Sequence, residues 1–242
     1  MNLDEFILHP SLNYDISPQL LPKMKLLEDL MQKLTSFEEI DLVANPFKNP
    51  LQKNNLLEYL KYHLYTQAFI LIIGEASGHK GCNLTGIPFT SGYILANHRS
   101  YRLIQKYYQF EPIKHIKENS AKIVHDFFFQ NPLAFDHIVL WNAFPFHPHK
   151  ENNLNSNRTP TKKEILQGSE FLVALFEIFD FKSYHAIGHK AQIALNLLKE
   201  ENKIPLFEFQ TFRHPSFGGK TQFLKQITEN YQKILQMKGA GK

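Results

Sequence analysis

Three short stretches hold the residue types that could do chemistry: "GEASGHKGCNLTGIPFTSG" (74–92), "LWNAFPFHP" (140–148) and "RHPSFGGK" (213–220). Glu75 sits in a glycine-rich loop directly after an apolar run. A carboxylate there can orient water or stabilise a developing positive charge, or it can simply tie loop amides together. Phe89, placed on a turn by its neighbours, is either a stacking face for a planar ligand or a core ring. Asn142 ends a hydrophobic stretch. Its amide offers an acceptor and donors at once, which suits reading a ligand edge, and equally suits pinning the following turn. His214 can present an imidazole donor to charge that develops during bond cleavage, or it can be structural. Gly218 and Gly219 let backbone amides approach a phosphate where a helix opens, with Arg213 and Lys220 adding charge.

Other chemistries fit less well. His147 and His149 in "HPH", with His9, His115 and His189, raise a metal site, but no cysteine or suitably spaced carboxylate completes a tetrahedral set. Cys82 is the single cysteine, which excludes an internal disulfide and any cysteine-held cluster. The expected chemistry therefore needs donors and water, with no cofactor and no metal.

The elements that must position these residues can be read from periodicity. The 242 residues are 43% apolar and no Ser/Gly- or Pro-rich linker divides them, so one domain is expected. Helical spacing covers 20–40, 54–67, 100–110 and 120–130, and a capping-box pattern at Thr161 and Glu164 starts a helix through 179. Further helices are expected over 190–200 and 219–235. Strands are expected at 68–76, 137–144, 183–189 and 204–212. Strands alternating with helices predict an α/β domain of three layers, with a parallel sheet of about four strands flanked by helices. The helical part would span 1–66, the α/β core 67–235 and a flexible tail 236–242. Three of the polar stretches then fall at the carboxyl ends of strands, where such sheets bind ligands.

Charge and hydropathy bound the setting. Apolar runs such as 69–73 fall far short of the roughly 20 residues of a membrane helix. The start "MNLDEFILHPSL" lacks the basic region of a secretory leader. These features predict a cytoplasmic protein. A net charge of +4 suits an anionic partner without demanding one.

In order along the chain, "GEASG", "TGIPF", "WNAFPFHP", "NRTPT" and "RHPS" resemble the uracil-DNA glycosylase superfamily over about 70–230. The resemblance is closest to its thermophile-type branch, whose pattern runs GEAPG, TGxPF, a strand-end Asn, NRTPT and HPS. Ser77 stands in place of that branch's Pro, and its four cluster-binding cysteines are missing. In the archetypal enzymes an Asp one position after Glu75 positions the attacking water, and this chain has Ala76 there, as the branch does. Gly78 stands where those enzymes carry a Tyr that blocks the C5 methyl of thymine.

The resemblance implies a monofunctional DNA glycosylase that swings a base out of the stack and cleaves its glycosidic bond. Gly74, Ala76, Gly78, Phe89 and Asn142 would bind the base, with Asn142 matching N3–H and O4 of uracil. His214 would stabilise the leaving uracil, largely at O2, and Glu75 would complete the catalytic pair. Arg213, Ser216, Gly218, Gly219 and Lys220 would grip DNA. Phe217 would wedge into the gap left by the flipped base, or pack back on the domain. Arg158 would contact a phosphate or form a local salt bridge. The implied partner is DNA carrying uracil or another deaminated base, met by a monomer at the nucleoid of a bacterial-type cell. A glycosylase for hypoxanthine, and a DNA-binding module without turnover, are the alternatives.

Overall fold

In the computed structural model, residues 18–38, 40–101, 105–205, 208–216 and 218–240 are described. Helices α1 (Leu21–Ser36) and α2 (Pro50–Tyr65) precede the sheet, joined by β1 (Val43–Ala44). The sheet strands are β2 (Ile70–Ala76), β3 (Ile138–Phe144), β5 (Ser183–Ile187) and β6 (Thr211–Phe212). They pair in the order β3-β2-β5-β6, every pair parallel. A short β4 (His147–Pro148) pairs antiparallel with β1, a pairing the sequence pattern did not reveal.

Between β2 and β3 lie α3 (Cys82–Thr85), α4 (Gly92–Asn97), α5 (Asn119–Gln130) and α6 (Ala134–His137). Helices α7 (Lys162–Ile178) and α8 (Gly188–Glu200) carry the chain to β5 and β6, and α9 (Lys220–Ala240) follows. Helix α7 packs on β3, α8 spans all four strands, and α5 packs on α9. The crossover from β2 runs one way to β3, and the next returns across β2 to β5. The direction of winding thus reverses at β2, so a crevice opens beyond its carboxyl end.

Burial explains the strands. Ile70 to Gly74 and the whole of β3 are buried, as parallel strands covered on both faces require. Although β3 lies at the sheet edge, the amide of Leu140 donates to the Tyr59 hydroxyl of α2 at 2.7 Å. The register sets Gly74 beside Asn142 at the strand ends. The capping box forms as expected: Glu164 N donates to Thr161 Oγ1 at 3.2 Å, and Thr161 N donates to the Glu164 carboxylate at 2.6 Å.

Three expectations need correction. The segment 100–110 is not one helix: among its described residues it forms short 3-10 turns, Arg99–Tyr101 and Gln105–Tyr107. The side chains of Asn54 and Asn55 draw Tyr107 and Gln109 backbone groups onto α2, and these long-range bonds compete with helical ones. The strand expected over 204–212 shortens to Thr211–Phe212, with 206 and 207 outside the described residues. Pro205 has no N–H to give, and Gln210 N donates to the His185 ring instead of a strand. At the C-terminus α9 runs on to Ala240, into the stretch expected to be a flexible tail.

Glu164 serves both the helix cap and Arg158, whose Nη1 and Nη2 reach its two oxygens at 2.9 and 2.8 Å. Thr161→Ala should lower unfolding free energy by about 1 kcal/mol, the usual value of a lost cap. Glu164→Ala should cost distinctly more, because it also strands a guanidinium. Urea denaturation of the two variants checks this order, and equal losses would contradict it.

Candidate active site

The end of β2 and the loop after it form one wall of a pocket of about 640 Å³. Glu75, Ala76, Gly78, Phe89, Asn142, Arg158, His214 and Ser216, all singled out from sequence, line it. Gly74 lies just beneath: a Cβ there would sit 2.6 Å from the Phe89 ring and 2.7 Å from Asn142 Oδ1. Phe89 is only half-buried and holds φ = 51°, a left-handed conformation that a Phe rarely adopts. Its loop is fixed by Thr85, whose hydroxyl accepts from Ile87 N at 3.1 Å and lies 2.8 Å from Thr90 O. His125, Thr90 and Tyr101 are joined behind it.

Asn142 is buried at the end of β3. Opposite Gly78 there is open space: a Cβ added there would find Asn157 Nδ2, at 3.9 Å, as its nearest neighbour. Asn157 accepts from His79 N at 2.9 Å and so ties the loop after Gly78 to the "NRTPT" segment. Ser77 N donates to Phe146 O at 3.1 Å, a bond that a proline at this position could not make.

Burial governs the titrating groups. It raises the Glu75 carboxyl above the ordinary carboxylate range, against the Thr159 hydroxyl bond and the charge of Lys190. Glu75 Oε1 is buried without a hydrogen-bond partner among the described residues. His214 is pushed down, first by burial and then by Arg213, while Glu118 pulls the other way. Ser216 N donates to His214 Nδ1 at 3.2 Å, and the Ser216 hydroxyl lies 2.7 Å from the same nitrogen. A backbone N–H can only donate, so Nδ1 is the acceptor and the neutral ring carries its proton on Nε2. His214 lines the pocket with its ring held in this orientation by Ser216. Burial also raises the Cys82 thiol, in the pocket wall, to about 12.

The residues expected to meet DNA divide. Arg213 is exposed, and its amide donates to Gln226. Ser216 is occupied in orienting His214 rather than reaching outward. Gly218 has φ = 76° and open space around it. Gly219 differs from expectation: its N–H donates to Ser216 O, so that amide does not face a phosphate. Its lack of a side chain is required elsewhere, since a Cβ would meet His214 O at 2.0 Å. Lys220 pairs with Asp126 at 2.8 Å. Arg158 takes the local alternative, donating to Glu164 and to the carbonyls of His149, Thr159 and Leu42. Phe217 lies outside the described residues. Both nitrogens of His147 face carbonyl oxygens, of Ser77 at 2.8 Å and Leu154 at 2.9 Å.

Sequence reasoning missed Lys80, Lys117, Glu118 and Asn157 as pocket residues. Asn157 stood in the quoted "NRTPT", but 117 and 118 lie in a segment with no motif to mark it.

The sequence profile of the uracil DNA glycosylase superfamily matches residues 62–237. No curated protein matches the chain. Among solved structures, wild-type SMUG2 of Pedobacter heparinus is similar in fold, with a TM-score of 0.64 at 14% identity, over 87% of this chain and 98% of that one. No helix among the described residues is long and apolar enough to cross a membrane. With the family profile spanning both the sheet and the pocket built on its strand ends, the chain belongs to the uracil-DNA glycosylase superfamily.

Proposed function

We propose that this protein is a monofunctional DNA glycosylase that hydrolyses the N-glycosidic bond of a flipped uracil. The carrying observation is the convergence of Phe89, Asn142, Glu75 and the His214 ring on one pocket at the end of β2. The base would stack on Phe89, an interaction worth about 1–3 kcal/mol. The Asn142 amide would pair with N3–H and O4. As the N1–C1′ bond breaks, its electron pair moves into the uracil ring, and His214 Nε2–H stabilises the charge at O2. Glu75 would face the cationic sugar and take the proton of the water that attacks C1′. The products are free uracil and an abasic site. Arg213, the turn at Gly218 and Lys220, released from Asp126, would hold phosphates, with Phe217 as the wedge.

An abasic-site cleavage assay on single- and double-stranded oligonucleotides carrying uracil, hypoxanthine or neither tests this reading. Cleavage at uracil supports it. Cleavage only at hypoxanthine would reassign the base, and binding without cleavage would leave a module that has lost turnover.

His214→Ala removes a donor aimed at charge present only in the transition state. The single-turnover rate should fall by up to about 10²-fold with little change in DNA affinity. A loss confined to affinity would contradict the role.

Asn142→Asp replaces an acceptor–donor pair with acceptors alone. Uracil excision should fall by more than cytosine excision, with some cytosine activity emerging. Wild-type rates on uracil in this variant would remove Asn142 as the reader.

The pH profile bears on Glu75. Only the ionised carboxylate can accept a proton, and burial raises its pKa. The rate should therefore decline as pH falls through a value above the ordinary carboxylate range. Glu75→Gln should lower the rate at neutral pH and remove this decline, leaving any acid limb of His214, whose own pKa is lowered. An unchanged rate and profile in Glu75→Gln would leave the carboxylate without a chemical part.

A further inference from the structure

We infer that Lys80 and Lys117 form a second phosphate-binding rim at the pocket, on a part of its mouth that the 213–220 loop does not supply. Both line the pocket and both are exposed. Neither makes an ion pair among the described residues, whereas Arg158 and Lys220 are already paired with Glu164 and Asp126. The inference rests on the glycosylase reading for its ligand, the DNA backbone.

Each lysine is carried on a fixed base. Lys80 follows His79, whose amide is held by Asn157, and the turn is closed by Gly81 N and Asn83 N donating to Gly78 O at 3.2 and 3.1 Å. Lys117 Nζ lies 4.5 Å from the centroid of the Tyr93 ring, and Tyr93 N donates to Ile116 O at 3.0 Å. A cation held over a ring has fewer rotamers to lose when it meets a phosphate. The adjacent carboxylate forms no ion pair with Lys117 among the described residues. Glu118 turns its oxygens to Ser120 N and Ala121 N, at 2.8 and 2.6 Å, capping α5. A nucleotide swung into the pocket brings its flanking phosphates to the mouth, and two unpaired ammonium groups there can hold them.

The test is the salt dependence of binding, by fluorescence anisotropy, to a labelled duplex carrying one tetrahydrofuran abasic analogue. This probe contains no base to read. Each phosphate contact contributes about 0.9 to the slope of log affinity against log salt. Lys80→Ala and Lys117→Ala should each remove about that much, so the affinity lost between about 50 and 200 mM salt shrinks roughly threefold. Lys→Arg at either position should keep the slope. Lys114→Ala, an exposed lysine paired with Glu111 at 2.7 Å, should leave it unchanged. A steep wild-type slope that neither alanine variant alters would overturn the inference and leave the glycosylase reading standing. A wild-type protein that does not bind this duplex at any of these salt concentrations would sink both.

Discussion

The absence of a side chain at Gly74 is the constraint on which the pocket rests. Any Cβ there would overlap the Phe89 ring and the Asn142 amide, both within 2.7 Å of its place. The parallel register brings Gly74 level with Asn142, and the turn after Gly86 brings the ring across from the other side. The Phe89 ring and the Asn142 amide can therefore meet over β2 only because the strand itself stays out of the way. The sheet supplies the rigidity, and its winding reversal supplies the open end.

Burial acts on the two titrating groups in the same sense. It favours the neutral carboxyl of Glu75 and the neutral ring of His214, the form each resists leaving. Beside these two groups, the pocket lining carries the charged side chains of Lys80, Lys117, Glu118 and Arg158. Ser216 adds order to this: its N–H donates to Nδ1, which leaves the neutral ring a single tautomer. The cations near the mouth differ in how committed they are. Arg158 is saturated by local acceptors, while Lys80 and Lys117 have no such partners among the described residues.

Much of this was legible in the sequence because strong local signals mark it. The apolar runs at 70–76 and 138–144 read as buried strands, and Thr161 with Glu164 announced the start of α7. Phe89, Asn142, Glu75 and His214 stand in the motifs quoted from the sequence, and all four line the pocket. What was not legible depends on partners distant in sequence. The turns around 99–107 answer to Asn54 and Asn55, more than forty residues away, as the separation of 53 between Asn54 and Tyr107 illustrates. The shortness of β6 follows from a histidine side chain on β5 taking a ladder amide. Lys117 and Glu118 reach the pocket from a stretch whose residue types are ordinary for a surface. The pairing of Arg158 was one of two open readings, and only its surroundings in space decide between them.

Phe89 sets backbone ease and side-chain packing at odds. A left-handed conformation for a non-glycine residue costs on the order of 1–3 kcal/mol, and it is the surrounding network of Thr85, Thr90 and His125 that sustains it. That cost falls on the folding of the chain, and it leaves the ring fixed in the pocket wall. Glycine or asparagine would adopt this backbone conformation at less cost, but would give up the contacts the ring makes with the core. Position 89 therefore trades backbone ease for a ring whose packing fixes part of the pocket wall.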